Sequence, residues 1–129
     1  MQEKIEQLRK LKLLFVEDEE ELLQIICDAL SKLEINYLTA KNGLEALDIL
    51  DKHKDIDALI TDINMPYMNG LEMIKKLKDE GRELPTIIMS AHTEDEYTQR
   101  AKDFGVDNYL LKPFDFLKFI DIIVDMKIK

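Results

Sequence analysis

The chain has a single cysteine, Cys27, so no internal disulfide can form, and this fits a reducing compartment. With two histidines beside that one thiol, the soft and imidazole ligands of a zinc site are too few. Basic residues are in deficit: 18 Lys and Arg face 27 Asp and Glu, leaving a net charge of −9. Phosphate backbones and anionic lipid surfaces are bound by basic faces, so the charge argues against direct contact with nucleic acid or membrane. No run approaches the roughly 18 apolar residues a membrane span needs. The N-terminal Met-Gln-Glu-Lys-Ile-Glu-Gln-Leu-Arg-Lys lacks the apolar core of a signal peptide, and the expected location is cytoplasmic. Repeats, low-complexity tracts and long linkers are also missing. The 129 residues suit one domain, large enough to bury about two thirds of its unfolded surface.

What is present is an alternation. Residues 1–10 are polar, with Ile5 and Leu8 three apart, and read as an N-terminal extension, helical or loose, before a domain at 11–129. Leu13-Leu14-Phe15-Val16, Ala58-Leu59-Ile60 and Thr86-Ile87-Ile88-Met89 are short apolar runs of the kind buried on both faces of a sheet. Ile35–Thr39 alternates imperfectly and suits an edge strand, and Val106–Leu111 makes a fifth strand. Helical spacing appears at Leu22, Ile26, Ala29, Leu30 and Leu33, at Ala46, Leu47 and Leu50, and at Leu71, Ile74 and Leu77. Thr93-Glu94-Asp95-Glu96 is a capping-box pattern that opens a fourth helix, with Tyr97, Ala101 and Phe104 inward and Gly105 beyond its end. A fifth helix runs from about Phe114, with Leu117, Ile120, Ile123 and Val124 as its core set. Five strand–helix alternations imply an α/β fold: a doubly wound, five-stranded parallel sheet of order 2-1-3-4-5 with helices on both faces.

What ends each strand carries the chemistry. The first, third, fourth and fifth strands finish at Glu17-Asp18, Asp62, Ser90 and Lys112. In a parallel sheet these ends share one edge, the edge where ligands bind. Three converging carboxylates repel, and a proton or a cation must relieve them. A divalent cation with oxygen ligands fits best, Mg²⁺ first, because it takes few carboxylates and shares phosphate oxygens. A carboxylate beside a metal and an ammonium can attack a phosphoryl group, giving an aspartyl phosphate. Asp62 is the nucleophile candidate because it ends the middle strand, and Glu17 and Asp18 come as a pair suited to the metal. Lys112 and Ser90 could balance and hydrogen-bond the transferred oxygens.

At these residues the chain resembles the receiver domain of two-component response regulators, of the chemotaxis-regulator-like kind. The resemblance covers roughly residues 11–126. It rests on Phe15-Val16-Glu17-Asp18, on Thr61-Asp62-Ile63-Asn64-Met65-Pro66 with Gly70 eight residues after Asp62, on Ile88-Met89-Ser90-Ala91, and on Tyr109-Leu110-Leu111-Lys112-Pro113. It implies the flavodoxin-like arrangement, and Asp62 as acceptor of a phosphoryl group from a phosphohistidine on a sensor histidine kinase or phosphotransfer protein. It further implies Mg²⁺ held by Asp18, Asp62 and the Asn64 backbone carbonyl, with Glu17 acting through water, and Lys112 on the phosphoryl oxygens. Ser90 would move toward the phosphoryl group, Tyr109 would swing inward behind it, and the Lys112–Pro113 bond would be cis. Output would emerge on the surface of the fourth helix, fifth strand and fifth helix, toward a downstream target or a second copy. The family uses both Glu-Asp and Asp-Asp at the acidic pair. Asn64 and His92 occupy positions that tune dephosphorylation.

Three other readings compete, one of them a degenerate receiver used only as a scaffold, against which the complete set of site residues argues. An aspartate-nucleophile phosphohydrolase of similar topology commonly needs an acid two residues after the nucleophile, where Asn64 stands. A flavin module needs a small-residue phosphate loop after the first strand, where Glu17-Asp18-Glu19-Glu20 would repel phosphate. Cys27 reads as packing and His53 as solvated. The final helix also carries Phe116, Phe119, Ile122 and Met126, more than one face needs. A partner, a second copy or a neighbouring domain would cover the surplus; the alternative is a seat under the N-terminal segment.

Overall fold

A computed structural model describes residues 2–63, 65–90, 102–103, 105–106, 108–112, 115–126 and 128. Among them are five strands, β1 (Lys12–Val16), β2 (Asn36–Ala40), β3 (Ala58–Asp62), β4 (Thr86–Ser90) and β5 (Asn108–Leu111). Five helices accompany them, α1 (Gln2–Arg9), α2 (Glu20–Lys32), α3 (Gly43–Lys52), α4 (Gly70–Asp79) and α5 (Phe116–Asp125). The sheet is parallel throughout, in the order β2-β1-β3-β4-β5. The apolar runs that end at Val16, Asp62 and Met89 form its middle, and β2 lies on an edge. Of the expected helix over 93–104, only Lys102 and Asp103 are described, both helical, with Gly105 following at φ +83; its capping box, His92, the Lys112–Pro113 bond and the Phe114 start of the last helix lie outside the described residues.

Alternation along β1 sends Leu13 and Phe15 to one face and Leu14 and Val16 to the other. The first face packs on α1, α2 and α5, the second on α3 and α4. Local chemistry sets the boundaries. The Asn42 side chain caps α3 by accepting from Glu45 N, and Asn69 with Glu72 forms a reciprocal capping box on α4. Gly81, at φ +80, follows the end of α4. The last helix begins at Phe116, because the Asp115 carboxylate accepts from Leu117 N and fixes the start there.

That start sets which face of α5 turns inward, and it differs from the expected set. Phe119, Ile120 and Ile123 are buried, while Leu117 stands 53% exposed. The inward stripe begins at Phe116 and continues through 119/120 and 123, the spacing of successive turns. The Phe119 ring centroid lies 5.4 Å from that of Phe15 and 5.3 Å from that of Phe116. The apolar surplus of this helix is seated under the N-terminal segment. Leu8 of α1 is fully buried in the same cluster, Ile5 packs against it, and Lys4 pairs with Asp121 at 2.6 Å. The Arg9 guanidinium donates to the Leu33 carbonyl at the end of α2. Cys27 is partly buried against this cluster. His53 ends α3, half-buried, with Nδ1 3.5 Å from Lys12 Nζ.

Leu8→Ala is therefore expected to lower stability by about 2–5 kcal/mol, the scale of a fully buried leucine truncation. Urea unfolding checks it as a shifted midpoint at unchanged slope. A loss below about 1 kcal/mol would mean α1 rests on the domain without completing its core.

Candidate functional site

The pairing register brings four strand ends to one edge. Val16 of β1 lies opposite Thr61 of β3, Asp62 opposite Met89 of β4, and Ser90 opposite Leu111 of β5. Glu17, Asp18 and Lys112 follow directly on β1 and β5. Glu17 is 1% exposed although its side chain is ionisable. Its Oε1 accepts from Lys112 Nζ and its Oε2 from the Glu19 backbone N–H at 3.1 Å. The same ammonium donates to Asp62 Oδ2 at 3.0 Å, and Asp62 Oδ1 accepts from Ile63 N at 2.7 Å. Asp62 is 13% exposed at its side chain, enough for an approach from solvent. Asp18 is exposed on the rim, yet one oxygen from each of Glu17, Asp18 and Asp62 lies within 4.8 Å of the others.

Charge explains the arrangement. Burial pushes the Glu17 carboxyl up, and the Asp62 charge adds to that; the Lys112 and Glu19 hydrogen bonds pull the other way without overcoming it. Burial pulls Lys112 down, but its bonds to Glu17 and Asp62 prevail and raise it above the ordinary lysine value. One ammonium is thus locked between two carboxylates that would otherwise repel, while a third waits beside them. The donor set is oxygen only, which fits a hard divalent cation such as Mg²⁺ and not zinc.

The remaining candidates are placed as follows. Ser90 is half-buried at the end of β4, and its carbonyl accepts from Lys112 N at 2.7 Å, tying the lysine's backbone to that strand. Tyr109 faces the apolar cluster of Ile63, Leu71, Ile74, Ile88 and Val106, with its hydroxyl donating to the Val106 carbonyl at 3.1 Å. Asn64 lies outside the described residues.

The structure adds groups that the residue pattern left silent. The backbone amides of Ile63 and Glu19 orient the two buried carboxylates, and amides leave no mark in a sequence. Thr61 is fully buried, and its hydroxyl donates to the Asp62 carbonyl at 2.9 Å. Gly70 is more than a turn. Its N–H bonds the Ile63 carbonyl at 2.8 Å, and a Cβ there would sit 2.2 Å from the Asp62 carbonyl oxygen. Only glycine lets α4 begin against the strand that carries Asp62.

Matches to known proteins agree with this geometry. The family model described as response regulator receiver domain matches residues 13–124. The chain belongs to the response regulator receiver domain family. A chemotaxis protein CheY homolog of Campylobacter jejuni is 40% identical over 107 residues, 81% of this chain and 82% of that protein. The N-terminal domain of a Wolinella succinogenes protein superposes with a TM-score of 0.83 at 31% identity, covering 91% of this chain and 94% of that one. The receiver domain of Ssk1 from Saccharomyces cerevisiae superposes with a TM-score of 0.75 at 25% identity, over 84% and 83% of the two chains. Receiver domains are signalling domains whose general function is to accept a phosphoryl group, and they bind Mg²⁺ at an acidic pocket. In this receiver domain no helix among the described residues is long and apolar enough to cross a membrane.

Gly70→Ala is expected to cost about 2–3 kcal/mol through overpacking against backbone that cannot turn aside. It should also weaken Mg²⁺ binding, because the displaced strand end carries Asp62. Thermal unfolding and a metal titration together check this. A variant with unchanged stability and metal affinity would show that the Asp62 carbonyl yields easily.

Proposed function

We propose that this receiver domain accepts a phosphoryl group from a phosphohistidine onto Asp62, with Mg²⁺ held by Glu17, Asp18, Asp62 and the Asn64 carbonyl. The observation that carries this reading is the single ammonium of Lys112, bonded to both Glu17 and Asp62 beside a third carboxylate. A carboxylate oxygen of Asp62 attacks phosphorus, the phosphorus–nitrogen bond breaks, and its electron pair returns to the imidazole. The Ile63 amide aims the nucleophile, and Lys112 is placed to hold a transferred oxygen. Bound Mg²⁺ would neutralise charge developing on those oxygens.

The phosphorylated state would favour Ser90 drawn toward the new group and Tyr109 turned inward, a population shift between two conformations. The changed surface would be that of residues 93–104, β5 and α5, meeting a downstream target or a second copy. The donor would be a sensor histidine kinase or a phosphotransfer protein. The Ssk1 receiver domain was co-crystallised with the histidine phosphotransfer protein Ypd1, which supports that class of partner. We place the work in the cytoplasm, on the domain at 11–129, with residues 1–10 as an extension seated on α5.

Incubation with Mg²⁺ and acetyl phosphate tests the reading. The expected product carries one phosphoryl group per chain, released by alkali and by hydroxylamine as an acyl phosphate is, and not formed in EDTA. Steady multiple turnover on phosphate esters would favour the aspartate-nucleophile phosphohydrolase instead.

A further inference from the structure

The central strand β3 is apolar from Ala58 to Ile60, and the next residue, Thr61, is as fully buried as they are. A hydroxyl buried among apolar side chains costs free energy unless it is bonded. Valine has nearly the same shape, suits a strand as well and carries no such requirement. What sets Thr61 apart from valine is one bond: its hydroxyl donates to the Asp62 carbonyl at 2.9 Å.

That carbonyl and the Ile63 N–H are two ends of one planar peptide unit. The Ile63 N–H donates to Asp62 Oδ1 at 2.7 Å, so any rotation of the unit moves the donor that aims the carboxylate. Thr61 grips the opposite end of the same plane. Gly70 stands against that end too, since a Cβ there would come within 2.2 Å of the Asp62 carbonyl oxygen. One peptide later, the Ile63 carbonyl accepts from Gly70 N at 2.8 Å. Gly70 limits the Asp62–Ile63 plane by contact, and Thr61 fixes it by a directed bond.

We infer that Thr61 is a positioning residue for phosphoryl transfer, its hydroxyl holding the Asp62–Ile63 peptide so that the Ile63 N–H keeps the Asp62 carboxylate aimed; this rests on the phosphoacceptor reading above. Fully buried, Thr61 acts through the peptide. The carboxylate is held at both oxygens, by Ile63 N on Oδ1 and by Lys112 Nζ on Oδ2 at 3.0 Å. Attack on phosphorus needs its oxygen aligned, and a misplacement of about 1 Å can cost on the order of 10²-fold in rate. Loss of one restraint among several should cost less, about tenfold.

The test compares Thr61→Val and Thr61→Ser with a control, Thr86→Val. Thr86 begins β4, is buried, and donates its hydroxyl to the Leu84 carbonyl at 2.8 Å, so its replacement removes the same kind of bond away from the site. Two readouts are taken: phosphoryl uptake from acetyl phosphate with Mg²⁺, followed by intact mass, and exchange of the Ile63 amide with water, followed by NMR. Thr61→Val should slow uptake about tenfold and speed exchange of the Ile63 amide by about as much. Thr61→Ser keeps the donor and should stay within about threefold of the wild type in both. Thr86→Val should leave both within about twofold. Uptake by Thr61→Val at the wild-type rate overturns the inference while the phosphoacceptor reading stands. Equal slowing in Thr61→Ser or in Thr86→Val also overturns it, assigning the effect to packing. So does slowed uptake with unchanged exchange at Ile63. Should Thr61→Val fail to fold, Thr61→Ala takes its place against Thr61→Ser. A wild type that takes up no phosphoryl group overturns the phosphoacceptor reading and the inference with it.

Discussion

An Asp62→Asn variant is expected to take up no measurable phosphoryl group from acetyl phosphate, a fall of more than about 10³-fold, the scale on which loss of a nucleophile acts. The amide keeps the shape and can still accept from Ile63 N, but it carries no charge with which to attack phosphorus. The fold should survive. The substitution loses one acceptor of the Lys112 ammonium, but the other bond, to buried Glu17, remains. It also removes the charge that helps push the Glu17 carboxyl up, so repulsion at the site falls. These effects oppose each other, and stability should stay within about 1 kcal/mol of the wild type. Intact-mass measurement after incubation with acetyl phosphate, with urea unfolding as the control, checks both halves. A variant that still gains a hydroxylamine-sensitive phosphoryl group would transfer the acceptor role to Glu17 or Asp18.

Much of the architecture follows from the chain's own pattern, because its central strands are buried on both faces. Leu13 to Val16 and Ala58 to Ile60 have no polar side to present, and such runs demand helices on either flank. The strand-ending residues then belong on one edge, since a parallel sheet puts all its carboxyl ends on one side. What the pattern did not carry was geometry set by backbone. The steric need at Gly70 depends on where the Asp62 carbonyl points, and the tie between Lys112 N and Ser90 depends on strand pairing. The Lys112–Glu17 bond joins residues 95 apart and has no local signature. The residue pattern puts Leu117 on the wrong face of α5 for a related reason. In a helix apolar nearly all round, periodicity cannot choose the inner side, and the Asp115 cap and the seat for α1 decide it.

Lys112→Met should separate two roles proposed for the ammonium. As the counter-charge to Glu17 and Asp62, it occupies the place of positive charge that a divalent cation would also fill. Methionine keeps much of the length and the apolar stem and removes the charge. Metal-free, the variant leaves a 1% exposed Glu17 without its ion-pair partner, and stability should fall by about 3–5 kcal/mol. Added Mg²⁺ should restore part of it, by about 2.7 kcal/mol at a hundred times Kd. Affinity for the ion should rise at least about tenfold, because a unit charge a few ångströms away opposes the incoming cation by on the order of a few kcal/mol. Phosphoryl uptake should nevertheless slow by about 10²–10³-fold, since the donor proposed for a transferred oxygen is gone. Unfolding with and without Mg²⁺, a metal titration and the acetyl phosphate rate give the three readouts on one variant. If metal affinity falls together with uptake, Lys112 acts chiefly to hold Glu17 and Asp62 in position, and its competition with the metal is minor.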